Sequence, residues 1–192
     1  MNICVYGASS KSIDAKFFEA GYQLGKKLAQ RGYGLVFGGG DNGMMGAVAR
    51  GAHDGGGHII GIAPSFFNVD GILYPLSDEI IYTETMRQRK QKMEDLSGAF
   101  IVSPGGIGTF EEFFEILTLK QLARTDKPLI ILNTDGYYDA LIQMLRHTAQ
   151  THFMTEETLD LIYFTDSTDD ALDYIARYTA EEVDVEKLRG LN

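Results

Sequence analysis

Short, almost continuously apolar runs alternate along this sequence with longer segments of helical period. The apolar runs are strand candidates and cover residues 2–7, 34–39, 58–63, 99–103, 128–133 and 161–166. The intervening helix candidates cover residues 14–30, 43–53, 84–96, 109–123, 137–151 and 169–178. An uninterrupted apolar run is typical of a strand that helices cover on both faces. The alternation therefore predicts an α/β fold: a Rossmann-like, doubly wound, mostly parallel sheet with helices on both faces, in three α/β/α layers.

One domain is expected for the whole chain of 192 residues. No internal repeat, low-complexity tract or linker interrupts residues 1–192, and the charged tail after about residue 180 is expected to be peripheral. Residues 64–83 form the longest segment without a clear pattern. A loop of that length inside a compact domain is often functional.

The net charge and the single cysteine limit the classes of partner. A net charge of -10 argues against nucleic acid, which usually needs a basic face. Cys4 is the single cysteine of the sequence, so no intrachain disulfide can form. Its apolar surroundings favour a packed thiol over a nucleophile. The start of the chain lacks the regions of a signal peptide, and no run of about 18 apolar residues occurs. We therefore expect a cytoplasmic protein with no membrane partner.

No metal ion or cofactor is expected from the sequence. The four histidines, His53, His58, His147 and His152, lack the spacing of a metal site. The dinucleotide fingerprint G-x-G-x-x-G is absent after the first predicted strand, so NAD binding is not favoured either.

Three glycine-rich stretches follow predicted strands, at the edge where doubly wound folds bind ligands. The first is "YGASS" with Ser9 and Ser10, the second is "FGGGDNGMMG" with Gly39 and Gly40, and the third is "SPGGIGT". A glycine-rich loop that leads into a helix presents free N–H groups and the positive end of the helix dipole. A single glycine turn often only reverses the chain, but three of them at one edge predict one nucleotide or phosphate site.

The stretch "PGGIGTFEE" combines bare backbone with acids at a predicted helix start. Its glycines are Gly105, Gly106 and Gly108. Thr109 is a favourable N-cap, and its hydroxyl suits an anion. Glu111 and Glu112 are then expected in the first helical turn. There they either stabilise the helix dipole or direct a carboxylate at the ligand.

A cluster of cations precedes that stretch in "TMRQRKQKM", at Arg87, Arg89, Lys90 and Lys92. Neighbours on a helix turn by about 100°, so these side chains cannot all face one ligand. The buried side of the helix is expected at Met86, Met93 and Leu96. The planar fork of arginine suits phosphate or carboxylate, so Arg89 is the candidate that orients both a ligand and an acid. Arg87 and Lys92 are expected to be solvated.

The pair "MRQRKQKM" and "PGGIGTFEE" resembles the signature of the LONELY GUY family, the cytokinin-activating nucleoside-monophosphate phosphoribohydrolases. The family pattern is PGGxGTxxE, preceded by an arginine–lysine helix. The likeness continues in "YGASS", "RGYGLVFGGGDNGMMGAVA", "GGHIIGIAP" and "KPLIILNTDGYYDALI", across roughly residues 1–155. Members are often labelled lysine decarboxylases, but nothing in this sequence indicates the pyridoxal-phosphate site of the usual decarboxylase.

The resemblance implies a homodimer that hydrolyses the N-glycosidic bond of N6-substituted adenosine 5′-monophosphates to free base and ribose 5-phosphate. Arg89 and Glu112 match the catalytic pair. The residues that match ligand contacts are Lys90, Gly105, Gly106, Gly108, Thr109 and Thr118. Glu112 is then the carboxylate that stabilises the cationic ribose, while the glycines hold the 5′-phosphate. The family loop before the basic helix carries a substrate-contacting acid without a clear counterpart here, and Asp70 is one candidate.

Two other functions stay open on the sequence alone. A broader nucleotide nucleosidase would act on AMP or other monophosphates in purine turnover, because specificity lies in the pocket around the base. A nucleotide sensor or carrier would use the same loops without chemistry. The presence of both Arg89 and Glu112 argues against that second alternative.

Overall fold

A seven-stranded parallel sheet forms the centre of the protein in the computed structural model, which describes residues 1–67, 71–180 and 188. Its strands are β1 (Asn2–Tyr6), β2 (Gly34–Phe37), β3 (Ile59–Pro64), β4 (Glu79–Thr83), β5 (Ala99–Val102), β6 (Leu129–Leu132) and β7 (Tyr163–Thr165). They lie in the order β4-β3-β2-β1-β5-β6-β7, and every adjacent pair is parallel. The predicted doubly wound sheet is confirmed.

Helices cover both faces of this sheet. They are α1 (Ala15–Gln30), α2 (Gly43–Asp54), α3 (Met86–Asp95), α4 (Ile107–Gln121), α5 (Asp139–Gln150) and α6 (Thr168–Arg177). Side chains of α1, α2 and α6 share one apolar core with the sheet, and side chains of α3, α4 and α5 share the other. The three predicted layers are therefore present. Among the described residues, no helix combines the length and apolar character needed to cross a membrane.

The strand order reverses at β1, and this reversal positions the site. From β1 the chain moves outward through β2 and β3 to β4, and it then returns to β5 on the other side of β1. The connections that leave β1 and β5 therefore diverge at neighbouring carboxyl ends, which opens a crevice between them. The loops after β1, β2 and β5 are the three glycine-rich stretches of the sequence.

The segment 64–83 is more regular than its sequence indicates. It contains a short 3-10 helix, Ser65–Phe67, and the edge strand β4, which the sequence analysis missed. Because β4 pairs with β3 alone, none of its residues is fully buried, and its apolar run spans only residues 80–82. The crossover before it packs against the loop after β2, where Leu73 forms an antiparallel bridge with Gly40 and the Tyr74 N–H donates to the Gly39 carbonyl. Asp70 lies outside the described residues, as does the tail after Ala180 apart from the buried Leu188.

Helices α1 and α2 touch through their backbones. A Cβ at Gly25 of α1 would collide with the carbonyl oxygen of Val48 in α2, and a Cβ at Gly51 of α2 would collide with the carbonyl oxygen of Tyr22. Glycine in a helix interior costs about 0.5–1 kcal/mol relative to alanine. These two glycines are therefore explained by the close crossing of the helices, and the crossing sets the position of the α2 N-terminus beside β1.

We expect Gly25→Ala to lower the free energy of unfolding by about 1–3 kcal/mol, because the added methyl group forces the two helices apart. Urea denaturation measures the change. Gly108→Ala is the matched control, because a Cβ at Gly108 in α4 would meet nothing within 4 Å. An equal loss of stability in both variants would contradict the close helix crossing as the cause.

Candidate active site

A cavity of about 560 Å³ opens at the carboxyl ends of β1, β2 and β5. All three predicted glycine-rich loops contribute to its wall. The predicted site residues that line it are Ser9, Ser10, Gly40, Arg89, Gly106, Gly108, Thr109 and Glu112. The fold thus brings residues from opposite halves of the sequence to one concave surface, the usual form of a small-molecule site.

A buried ion pair, Arg89 with Glu112, lies at the base of this cavity. The arginine Nη1 donates to the Glu112 Oε1 over 2.8 Å, and the two residues are only 7% and 8% exposed. The arginine Nε also donates to the carbonyl of Ile62 over 3.0 Å. Its Nη2 occupies the space that a Cβ at Gly38 would need. Arg89 is therefore held by α4, β3 and the loop after β2, so its fork has a fixed orientation.

The electrostatic environment of Glu112 contains two opposing effects. Burial raises the pKa of this carboxyl, while the charge and hydrogen bond of Arg89 lower it. Removing the arginine would leave a buried carboxylate without its compensating charge, a state that proteins usually avoid by protonation. Burial is the larger effect and the pKa of Glu112 is raised, but Arg89 favours the ionised form of this buried carboxylate.

Beneath the ion pair, Cys4 and Tyr6 of β1 fill the core. Burial raises the pKa of the Cys4 thiol and of the Tyr6 phenol, and the nearby charge of Glu112 raises both further. Cys4 has no exposed surface. The prediction of a packed thiol is confirmed, and the dry layer under Glu112 explains why burial dominates its pKa.

The loop between β5 and α4 exposes its backbone to the cavity. Gly106 is the N-cap and α4 begins at Ile107. A Cβ at Gly106 or Gly108 would meet nothing within 4 Å, so both glycines face open space. Within the described residues, the N–H groups of Gly106, Ile107 and Gly108 donate to no other backbone or side-chain group. These free donors and the positive helix end form a surface suited to an anion.

Thr109 is not the N-cap, contrary to the sequence prediction. It is the third residue of α4, is almost fully buried, and its side chain occupies the space that a Cβ at Gly105 would need. Helix α4 therefore starts two residues earlier than the sequence indicates, and Glu111 and Glu112 lie beyond the first turn. The glycines at the start of the helix concealed this boundary, because they are poor helix formers.

Lys90 lies beside the cavity and forms ion pairs with two acids of α4. Its Nζ contacts the carboxylate of Glu111 and lies 2.8 Å from the Glu115 carboxylate. The two adjacent acids of "PGGIGTFEE" thus have separate partners, since Glu111 pairs with Lys90 and Glu112 with Arg89. Lys90 is not among the residues that line the cavity.

Three other predicted ligand contacts also lie off the cavity wall. Gly39 has a φ of +79° and supports the crossover before β4 through its carbonyl. Gly105 is buried, and its carbonyl accepts a hydrogen bond from Tyr137. Thr118 lies on the exposed side of α4, where its hydroxyl donates to the Phe114 carbonyl.

An apolar wall opposite the loop was missed by the sequence analysis. It consists of Met45, Phe67, Ile72, Leu73 and Met86. Met86 was expected on the buried side of α3, but it is 41% exposed and faces the cavity, whereas Met93 is fully buried. The length of the segment 64–83 was the available signal, although no residue pattern within it indicated which side chains would reach the site.

No group of three or more histidine, cysteine, aspartate or glutamate side chains that could hold a metal ion occurs in the described ranges. The cavity instead combines free backbone donors, one buried carboxylate and an apolar wall. This set of groups suits a ligand with an anionic end, a centre that develops positive charge and an apolar end.

Sequence comparison identifies a family and several relatives. Residues 45–175, more than half of the chain, match the family model described as "Possible lysine decarboxylase". The probable cytokinin riboside 5′-monophosphate phosphoribohydrolase LOGL5 of Oryza sativa subsp. japonica is 36% identical over 97% of this chain and 76% of its own length. The cytokinin riboside 5′-monophosphate phosphoribohydrolase LOG2 of Arabidopsis thaliana is 35% identical over 95% of this chain and 85% of its own length.

Solved structures with the same fold include two molybdenum cofactor proteins. The molybdenum cofactor binding protein of Rippkaea orientalis superposes with a TM-score of 0.71 at 23% identity, over 91% of this chain and 95% of that one. The Moco carrier protein of Chlamydomonas reinhardtii gives 0.68 at 23% identity, over 91% and 94%. At this level of identity the likeness shows a shared fold and nothing about function.

Proposed function

The chain belongs to the LONELY GUY family of cytokinin riboside 5′-monophosphate phosphoribohydrolases, and on that basis we propose how its cavity binds and cleaves a nucleotide. The protein is a hydrolase that cleaves the N-glycosidic bond of adenosine 5′-monophosphates, including N6-substituted ones, to free base and ribose 5-phosphate. The roles of its residues follow from the geometry of the cavity.

The observation that carries the residue assignment is the buried Arg89–Glu112 pair, which shares a cavity with the free N–H groups of the β5–α4 loop. The loop suits the 5′-phosphate, because Gly106 and Gly108 leave room for an anion at a helix N-terminus. Glu112 lies six residues further along the same helix. We assign it to the ribose, next to the phosphate in the substrate.

Cleavage of the bond between ribose and adenine builds positive charge at the anomeric carbon, as in glycoside hydrolysis. The Glu112 carboxylate stabilises that charge and orients the water that attacks. The water oxygen then forms the new bond to the anomeric carbon while the bond from that carbon to the base nitrogen breaks, and the proton that the water loses balances the one that the departing base takes up. Arg89 holds Glu112 in place and lowers the pKa of this carboxyl against the opposing effect of burial, which favours the ionised form that stabilises a cation.

We expect Glu112→Gln to lower kcat by about 10²–10⁴-fold on AMP, because the amide cannot provide a negative charge or accept a proton. Nucleotide affinity should change little, since the phosphate loop is intact. Chromatography of released base measures turnover, and calorimetry measures binding. Glu115→Gln is the control: it lies on the same helix and pairs with Lys90 rather than Arg89, and it should keep normal turnover.

Near-normal turnover of Glu112→Gln would exclude Glu112 from the mechanism. Tight binding of AMP and isopentenyladenosine monophosphate by the unaltered protein, with no release of base from either, would instead indicate a sensor or carrier.

The apolar wall fits the base and its N6-substituent. Phe67 and Met45 belong to this wall, and apolar contact in such a pocket is worth about 1–3 kcal/mol per small group. We therefore propose that Phe67 and Met45, which are not part of the catalytic pair, set the preference for an N6-substituted base over the unsubstituted base of AMP.

Phe67→Ala is expected to lower kcat/KM for isopentenyladenosine monophosphate about 5- to 50-fold relative to AMP, since the lost ring would contact the prenyl group. The adjacent Phe66→Ala serves as control, because Phe66 is 58% exposed and does not line the cavity. An equal loss of kcat/KM on both substrates would mean that Phe67 supports the fold or contacts the adenine ring, and would contradict a role in recognising the N6-substituent.

We also propose a homodimer that covers the exposed face of α4. Ile107, Phe114 and Leu122 are 83%, 37% and 41% exposed, and their spacing places them on one helical stripe together with Thr118. Phe113, by contrast, is fully buried. Exposed apolar side chains along one side of a surface helix are typical of an interface. In such a dimer Thr118 would lie at the interface.

Phe114→Glu is expected to convert the dimer to a monomer, because the interface would then bury unpaired charges. Light scattering at matched concentrations measures the mass. Phe18→Glu on α1, at the opposite face of the sheet, should remain dimeric. A monomeric unaltered protein, or a dimer that tolerates Phe114→Glu, would place the interface elsewhere or remove it.

A further inference from the structure

Two adjacent tyrosines of the β6–α5 turn hold the β5–α4 loop from outside the cavity. The Tyr138 hydroxyl donates to the carbonyl of Ser103, and the Tyr137 hydroxyl donates to the carbonyl of Gly105, each over 2.7 Å. Neither tyrosine lines the cavity. The motif "NTDGYYD" that supplies them therefore acts on the loop and does not itself reach the ligand.

The turn that presents these tyrosines is tightly constrained. Asp135 and Gly136 have φ values of +54° and +71°, which reverse the chain after β6. The Asn133 carboxamide accepts from the Tyr138 N–H over 2.6 Å and donates to the Asp139 carboxylate over 2.8 Å. Local hydrogen bonds of this kind stabilise turns. The tyrosine hydroxyls thus have a well-defined place from which to act.

The peptide group between Gly105 and Gly106 transmits the effect of Tyr137. A trans peptide is planar, so its N–H points opposite to its carbonyl, and none of the described peptide bonds is cis. The carbonyl of Gly105 points toward Tyr137, away from the cavity, so the N–H of Gly106 points toward the cavity. The preceding carbonyl, of Pro104, is held in the same way by the Ala8 N–H over 3.1 Å.

We propose that Tyr137 is a positioning residue for phosphate recognition. Its hydroxyl fixes the Gly105–Gly106 peptide so that the Gly106 N–H is directed at the 5′-phosphate before the ligand arrives. Donors oriented in advance bind an anion without the cost of ordering the backbone at that moment. This inference rests on the proposed function of the loop as the phosphate site.

Tyr137 is a better test of this idea than Tyr138. Tyr138 is 1% exposed and belongs to the core, whereas Tyr137 is 42% exposed. Its ring makes edge contacts with Phe17 and Tyr138, at centroid distances of 5.6 Å and 4.9 Å. Tyr137→Phe keeps both ring contacts and removes only the hydroxyl that holds the loop, so the variant should fold normally.

The experiment measures AMP and adenosine affinities by calorimetry in the non-hydrolysing Glu112→Gln background, with and without Tyr137→Phe. We expect Tyr137→Phe to raise the Kd of AMP about 3- to 10-fold, the effect of one hydrogen bond, and to leave the Kd of adenosine unchanged. Tyr22→Phe is the matched control, because it removes a tyrosine hydroxyl that bonds to Asp54 over 2.9 Å on the far side of α1. It should alter neither affinity.

A Tyr137→Phe protein that loses affinity for AMP and adenosine equally, or for neither, would overturn the proposal while leaving the phosphate loop in place. A parent protein that binds AMP no more tightly than adenosine would instead overturn the assignment of the loop to the phosphate, and the proposal with it.

Discussion

The buried contact between the Arg89 guanidinium and the Glu112 carboxylate is the constraint on which the site depends. It joins α3 to α4, and a second hydrogen bond of the arginine joins both to β3. Opening such a pair by removing one partner costs about 3–5 kcal/mol, because a charge is left buried alone. Position 38 requires glycine because a side chain there would occupy the place of the Arg89 guanidinium and so displace it from Glu112. The position of the Glu112 carboxylate therefore depends on how α3 and α4 pack against the sheet.

The two adjacent acids of α4 show how neighbouring carboxylates acquire different roles. Glu111 is exposed and pairs with Lys90, whereas Glu112 is buried, pairs with Arg89 and has a raised pKa. The Glu111 carboxylate is about half exposed, whereas the Lys90 side chain is only 12% exposed and also pairs with Glu115. The Glu112 carboxylate is largely buried, so its charge is less screened by solvent and acts more strongly on a nearby cation. In the proposed complex, backbone N–H groups of the loop bind the phosphate, the carboxylate faces the ribose, and the apolar wall contacts the base.

Most of the fold could be predicted because its strands are buried on both faces and therefore read as apolar runs. The edge strand β4 was missed because its apolar run is short, at residues 80–82, and lies in the long segment without a clear pattern. The Arg89–Glu112 pair was predictable from its resemblance to a known signature and from the chemistry of a forked cation beside an acid. The start of α4 was misplaced because its first turn contains glycine, which gives no helix signal, and because Thr109 is a favourable N-cap residue that here packs over Gly105 inside the helix. The apolar wall and the tyrosine contacts with the loop also depend on tertiary packing, since most of their residues, such as Met45, Phe67 and Tyr137, lie more than 20 positions from either member of the catalytic pair in the sequence.

A crystal structure of the Glu112→Gln protein with bound AMP tests most directly whether the β5–α4 loop holds the phosphate and whether residue 112 faces the ribose. We expect a phosphate oxygen about 3 Å from the Gly106 nitrogen, the distance of a hydrogen bond. We also expect the anomeric carbon in van der Waals contact with the side chain at position 112, at about 4 Å. A nucleotide whose phosphate binds away from the β5–α4 loop, with its ribose out of reach of that side chain, would contradict both expectations.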